Sequence, residues 1–176
     1  MTDTIRNLLF SEAEGNVYVV LDGASVPGLP DKLAEWEPPQ ECLYRGEIKP
    51  DVAEMAPYLV HLEPDAEFTA WILQKGWGNH WGIFAVSEAD LATVRRHLRT
   101  LLVVHDGAGK PLYFRYYDPR VLRVYLPTCN GTELASMFGP VAAYLLEDEK
   151  PDKLLRFGLE SGALDRQEYP VAMEKN

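Results

Sequence analysis

One short block of the sequence holds residue types that could bind an anion. It runs from Phe114 to Arg120 as Phe-Arg-Tyr-Tyr-Asp-Pro-Arg, and Arg123 follows one helical turn later. Asp118 and Pro119 fit the cap and the first position of a helix, because aspartate accepts backbone N–H bonds and proline needs no N–H there. Arginine side chains beside a helix N-terminus could bind an anion, because both attract negative charge.

The same block also fits a structural brace. In this interpretation Asp118 caps the helix, while Arg115 or Arg120 pairs with a carboxylate elsewhere in the chain. We favour the brace, and it is compatible with an interface role, because arginine and tyrosine are enriched where proteins bind each other. Tyr117 and Pro119 belong to the block and are carried with it as candidate motif residues.

The histidines and cysteines form no recognisable catalytic or metal-binding set. The histidines lack HxH and HxxxH spacing, and the chain has no phosphate-binding loop, GxGxxG or GxSxG motif. Cys42 and Cys129 form no CxxC pair, so each is expected to be a small, buried apolar residue in a reducing compartment. We therefore predict no cofactor, no metal and no catalytic residue, and the protein is not expected to be an enzyme.

A second cluster is aromatic and lies in a glycine-rich connection. Trp77 and Trp81 stand in the run Gly-Trp-Gly-Asn-His-Trp-Gly, and Trp71 precedes them on a predicted helix. Core packing is the default role of such rings. Trp77 is the tryptophan expected to be partly exposed and available to a partner.

The elements that must position these residues alternate along the chain. Strands are predicted at 17–21, 58–62 and 81–86, short helices begin near Pro30 and Asp65, and a helix capped by Ser87 carries Leu91, Val94 and Leu98 on one face. A β-hairpin is predicted over about 101–116, followed by helices that begin after Asp118 and Asn130. The segment 142–146 fits a strand or a helix.

This order predicts an α/β or α+β fold in which helices pack on a mixed sheet. The length of 176 residues suits one domain. We place that domain at residues 1–149. Residues 150–176 are charged and weakly periodic, so they are expected to be an arm or tail and a natural place for partner binding.

The net charge of the chain argues against nucleic acid as a partner. The net charge is −10, with 27 acidic and 17 basic residues, so generic nucleic-acid binding is not expected. Residues 1–70 hold 14 acidic and 4 basic residues, whereas 71–143 hold 5 and 8. Such asymmetry suits protein partners. No signal peptide and no apolar run of about 20 residues is visible, so a soluble, cytoplasmic protein is expected.

The order of several segments resembles a family of bacterial proteins: the adaptors, or effector chaperones, of type VI secretion. The resemblance covers roughly residues 16–142, and its most telling part is the Arg115–Arg120 block placed after a hairpin. The segments that carry it are Val17–Ala24, Leu43–Gly46, Ala56–Val60, the Trp71 helix, Trp81–Phe84, Leu91–Leu102, Phe114–Leu122 and Phe138–Pro140.

The resemblance implies a non-enzymatic adaptor in the cytoplasm. Such adaptors bind a toxic effector and help to load it onto the VgrG spike protein before secretion. The family motif falls on Arg115, Asp118, Pro119 and Arg120, which the resemblance implies to be fold-defining or interface-supporting. Two alternatives stay open. One is a small enzyme or anion-binding protein that uses Arg115, Asp118 and Arg120 with His97 or His105 as general base; the other is an immunity protein that neutralises a toxin.

Overall fold

A seven-stranded antiparallel sheet runs through the middle of the computed structural model, which describes residues 1–11 and 14–172. The strand order in the sheet is β2-β3-β1-β4-β7-β8-β9, and β5 and β6 form a separate hairpin. The strands, in chain order, are β1 Asn16–Asp22, β2 Gln40–Cys42, β3 Pro57–Leu62, β4 Gly82–Ser87, β5 Val103–His105, β6 Pro111–Tyr113, β7 Ala143–Glu147, β8 Lys153–Glu160 and β9 Ala163–Pro170.

Helices cover both faces of the sheet. They are α1 Thr2–Ser11, α2 Leu29–Trp36, α3 Pro50–Ala53, α4 Glu67–Trp71, α5 Leu91–Thr100, α6 Pro119–Tyr125 and α7 Gly131–Phe138. A π-helical turn, Ile72–Gly76, continues α4, and a 3-10 turn, Leu126–Thr128, continues α6. This arrangement confirms the predicted class of a β-sheet with helices packed on it, with a late hairpin followed by helices.

The sheet has an apolar layer on each side, which explains the uninterrupted apolar run of β1. Val17, Val19 and Leu21 face α1, α2 and α4, whereas Tyr18 and Val20 face the layer that contains α5, α6 and α7. A strand that is covered on both faces needs apolar side chains at every position.

The predicted cap of α5 is corrected by the structure. Asp90 is the N-cap, and its side chain accepts a hydrogen bond from the Thr93 N–H at 2.8 Å. Ser87 instead ends β4, where its hydroxyl donates to the Pro140 carbonyl and accepts from the Ala89 N–H. The predicted capping of α7 by Asn130 is confirmed, since its side chain and Glu133 form a capping box.

The hairpin is shorter than the sequence indicates. Leu101 and Leu102 are buried before β5 begins, and Tyr116 lies in the turn that follows β6, buried against the helical layer. The ambiguous segment 142–146 is largely β7, paired with β4 and β8.

The C-terminal segment differs from the arm or tail expected over 150–176. Residues 153–170 form β8 and β9, and β8 pairs with β7 across five residues. Leu154 enters one apolar layer, while Leu155 and Phe157 enter the other. Because β8 faces both layers, it lacks the alternation that would have marked it as a strand. Residues 173–176 lie outside the described part of the chain.

The helices of the described residues are short. None of them is long and apolar enough to cross a lipid bilayer.

Candidate functional site

The predicted arginine–aspartate block forms a compact ion-pair network between β1 and α6. Asp118 caps α6, and its carboxylate accepts hydrogen bonds from the Arg120 backbone N–H at 3.0 Å and from its guanidinium at 2.8 and 3.0 Å. Arg115 reaches back to Asp22 at the end of β1, with 2.5 Å between Nη2 and Oδ2. A longer contact of 3.7 Å joins Arg115 to Asp118.

Asp22 anchors the network in the core. It is only 1% exposed, and it also accepts hydrogen bonds from the Ser25 hydroxyl at 2.8 Å and the Ala24 N–H at 3.2 Å. The guanidinium of Arg115 therefore ties the segment before α6 to the end of a central strand. This is the geometry of the brace that the sequence favoured.

Hydrogen bonds and ion pairs favour the charged forms of Asp118 and Arg115. Burial disfavours ionisation of Asp118, but the hydrogen bonds from Arg120 outweigh it and lower the pKa of that carboxyl. Burial likewise opposes the charge of Arg115, yet the hydrogen bond and ion pair with Asp22 raise its pKa. Burial raises the pKa of Tyr117 to about 12, so the phenol is neutral at physiological pH.

The other members of the block are packing residues. Pro119 is buried at the first position of α6, and Tyr117 is 2% exposed with its ring 5.6 Å from that of Tyr116. Arg123 lies apart, because no hydrogen bond or ion pair joins it to the network among the described residues. The side chains of Arg115 and Arg120 are about half exposed, but each already contacts a carboxylate.

The histidines considered as general bases are held elsewhere. A ring nitrogen of His97 contacts the Met137 carbonyl at 3.1 Å, and burial lowers the pKa of this imidazole. His105 ends β5 and is exposed. The contacts of the structure bring neither histidine to the arginine network. Within the described residues there is also no group of three or more His, Cys, Asp or Glu side chains placed to hold a metal.

The structure places the two candidate tryptophans in different surroundings. Trp77 is 8% exposed, and its indole N–H donates to the Pro151 carbonyl at 2.8 Å. Trp81 is half-buried, with its ring 4.9 Å from that of Trp71. The expectation that Trp77 is the partly exposed ring is thus wrong. The cause is Pro151, 74 residues away, which local sequence cannot reveal.

A groove that sequence reasoning missed lies beside the hairpin. We call it the hairpin groove; it is a cleft of about 410 Å³ between β5–β6 and the segment 43–52. Its apolar lining includes Leu43, Tyr44, Ile48, Val52, Leu102, Val103 and Tyr113. Tyr44 and Tyr113 meet edge to face with 5.9 Å between ring centroids.

Arg99 fixes the floor of the hairpin groove. Its guanidinium donates to the carbonyls of Cys42, Leu43 and Tyr44 at 2.9, 3.1 and 2.6 Å. A planar donor fork suits several oxygens at once, so one side chain of α5 holds three successive carbonyls. The basic stripe of α5 was visible in the sequence, but its carbonyl partners were not.

Apolar side chains are exposed on both strands of the hairpin that forms one wall of this groove. Tyr113 is 55% exposed, Leu112 44%, Val103 43% and Val104 37%. Val103 pairs with Tyr113 and Val104 with Leu112, so both faces of the hairpin present apolar surface. Val52, in α3, lines the same groove and is 41% exposed. Scattered exposed apolar residues are common on protein surfaces, whereas four of them on one short hairpin are not.

The fold and its surface define a three-layer α/β/α protein with a braced core and an exposed apolar hairpin. The chain belongs to the family described as domain of unknown function DUF4123, whose model matches residues 17–136. The match covers β1 to α7 and ends before the strands β7, β8 and β9 complete the sheet. No curated protein and no solved structure matches the chain.

Proposed function

We propose that this protein is a non-enzymatic adaptor that binds a type VI secretion effector and promotes its loading onto the VgrG spike protein. The proposal joins two supports. One is the resemblance set out above, which concerns adaptors of this class. The other is the exposed apolar surface around the hairpin, which is the single structural observation that carries the proposal.

The hairpin surface suits binding to another protein. An isolated two-stranded hairpin is marginally stable, and exposed valine, leucine and tyrosine side chains in one place are unfavourable in water. A partner that covers the hairpin would remove these side chains from water; they are Val103, Val104, Leu112 and Tyr113. Protein interfaces combine such an apolar centre with a polar rim.

The arginine network supports this reading over anion chemistry. Arg115 and Arg120 each contact a buried carboxylate, Asp22 or Asp118, so an incoming anion would compete with a partner that is already in place. Their role in the proposal is structural: they hold the start of α6 and the end of β1 together.

The binding claim is tested by co-expression with the effector and the spike protein encoded beside its gene. We expect a stoichiometric complex with the effector on size-exclusion chromatography with light scattering. The toxin activity of the effector is measured in the same preparations, and we expect it to persist in the complex.

Two results would contradict the proposal. Recovery of a lone chain with both neighbours present would remove the adaptor role. Tight neutralisation of the toxin without any contribution to its delivery would instead identify an immunity protein.

A further inference from the structure

We propose that the hairpin groove receives a segment of the effector in which aliphatic or aromatic side chains stand beside acidic ones. This inference rests on the proposed adaptor function and specifies its binding surface and the chemistry of the cargo.

The lining provides apolar anchor points of different depth. Leu43 and Leu102 are buried at the floor, while Val52, Val103 and Tyr113 are 41–55% exposed on the walls. A volume of about 410 Å³ is enough for a few side chains, within the range of about 300–1,000 Å³ typical of ligand pockets. Apolar side chains of a partner would therefore replace water along a preformed surface.

The hairpin differs from the edge of the main sheet in how it is protected: its strands are three residues long and Pro111 begins β6, and both features limit pairing without a charged side chain. Natural sheets place charges on edge strands to prevent pairing with other chains. The outer strand β9 follows this rule, with Asp165, Arg166 and Glu168. Strands β5 and β6 carry no lysine, arginine, aspartate or glutamate. The contrast within one molecule indicates that the hairpin, unlike β9, is a surface that another chain covers.

The charged side chains on the rim of the groove determine which charge on a partner would be attracted. Residues 1–70 contain four basic residues, and two of them, Arg6 and Lys32, pair with carboxylates within their own helices. The other two, Arg45 and Lys49, are exposed on the groove rim. Neither has an ion-pair partner in the described part of the chain.

The rim is therefore positive on a protein whose net charge is −10. Glu47 is the acidic side chain that lines the groove, against Arg45, Lys49 and the carbonyl-bound Arg99. Unpaired cations around an apolar cleft complement acidic groups on the partner, and they would guide its approach. This complementarity is why the occupant is assigned as acidic as well as apolar.

The test measures effector binding by a charge-reversed groove and by a matched control. The Arg45→Glu/Lys49→Glu variant reverses the rim, and Lys75→Glu/Lys150→Glu changes the net charge equally. Lys75 and Lys150 are exposed, and Lys75 lies in the π-helical turn on the opposite face of the sheet. We expect the groove variant to lose affinity by about tenfold or more and the control to bind like the wild type.

A second variant separates apolar contact from charge. Val103→Thr/Tyr113→Thr keeps β-branched or strand-compatible side chains while removing apolar surface. We expect weaker effector binding with a salt dependence like that of the wild type, whereas the rim reversal should flatten the salt dependence. Urea unfolding of all variants shows that each is folded.

The outcomes distinguish this inference from the function on which it rests. Wild-type binding of the effector with unchanged affinity in both groove variants would overturn the groove assignment and leave the adaptor role intact. Groove-dependent binding of the spike fragment instead of the effector would overturn the assigned occupant. A homodimer lost on rim reversal would identify a second copy of this chain as the occupant. A wild-type chain that binds neither effector nor spike would overturn both proposals.

Discussion

At the residue scale, Asp118 has two separable tasks. It caps α6 through the Arg120 backbone N–H, and it receives the Arg120 guanidinium. The sequence Asp-Pro predicted the cap correctly, because a cap depends only on residues that are neighbours in the sequence. The partner of Arg115 could not be predicted, since Asp22 is 93 residues away and only the folded sheet brings it close.

The Asp118→Ala substitution removes both tasks and should lower the free energy of unfolding by about 1–2 kcal/mol, mainly through the lost cap. Asp118→Asn keeps an oxygen that can accept the backbone N–H, so it should lose less. Urea denaturation monitored by circular dichroism measures both. Equal destabilisation by the two substitutions would show that the cap contributes nothing beyond the ion pair.

The lowered pKa of Asp118 also predicts a pH dependence. A carboxyl whose pKa is lower in the folded protein adds stability that is fully present above its unfolded pKa of about 4. That contribution is lost as the pH falls through the folded-state pKa. The difference in unfolding free energy between wild type and Asp118→Asn should therefore be constant near neutral pH and shrink below pH of about 4. A difference that stays unchanged down to pH of about 3 would contradict this account.

At the element scale, strands and helices with one dominant local signal were predictable. The apolar run of β1, the helical spacing of α5 and the caps of α6 and α7 all depend on neighbours in sequence. The strands β8 and β9 were not, because Arg156 and Gly158 interrupt the apolar run of β8, and β9 is a charged edge. The burial of Trp77 was hidden for a similar reason: its partner is the Pro151 carbonyl in the connection between β7 and β8.

Truncation of the chain after residue 149 should prevent cooperative folding. The truncation takes away Leu154, Leu155 and Phe157, which are at most 1% exposed, and uncovers the edge of β7. Deleting several large core side chains costs more than the usual stability of a domain, since each contributes about 2–5 kcal/mol.

Thermal unfolding followed by circular dichroism tests this for a chain that ends at residue 149. The matched control ends at residue 172, which retains Val171 and both strands. We expect a cooperative transition for the control alone. A truncated chain that melts cooperatively at the wild-type temperature would show that β8 and β9 are accessory to the fold.

At the scale of the whole molecule, the folded unit is larger than the family match. The match ends at residue 136, yet the sheet continues through β7, β8 and β9. The general class of fold was predictable from alternating elements. The strand order was not, because β1 pairs with β3 and β4, and β4 pairs with β7, across long stretches of chain. The same limit hid the hairpin groove, whose walls come from two distant segments.

Net charge and local charge act together in the proposed adaptor. The net charge of −10 repels acidic surfaces in general, while Arg45 and Lys49 make the rim of the hairpin groove locally positive beside apolar side chains. A partner is then oriented by charge and held by apolar contact. Exposed hairpin residues are tolerable in such a protein because the surface is covered when cargo is bound.

The central claim is that this chain promotes loading of an effector onto the spike, and reconstitution of that step tests it most directly. Purified effector is mixed with immobilised VgrG protein in the presence or absence of the chain, and retained effector is quantified. We predict retention that depends on the chain and falls when Arg45→Glu/Lys49→Glu replaces the wild type. Equal retention of effector with and without the chain would contradict the account.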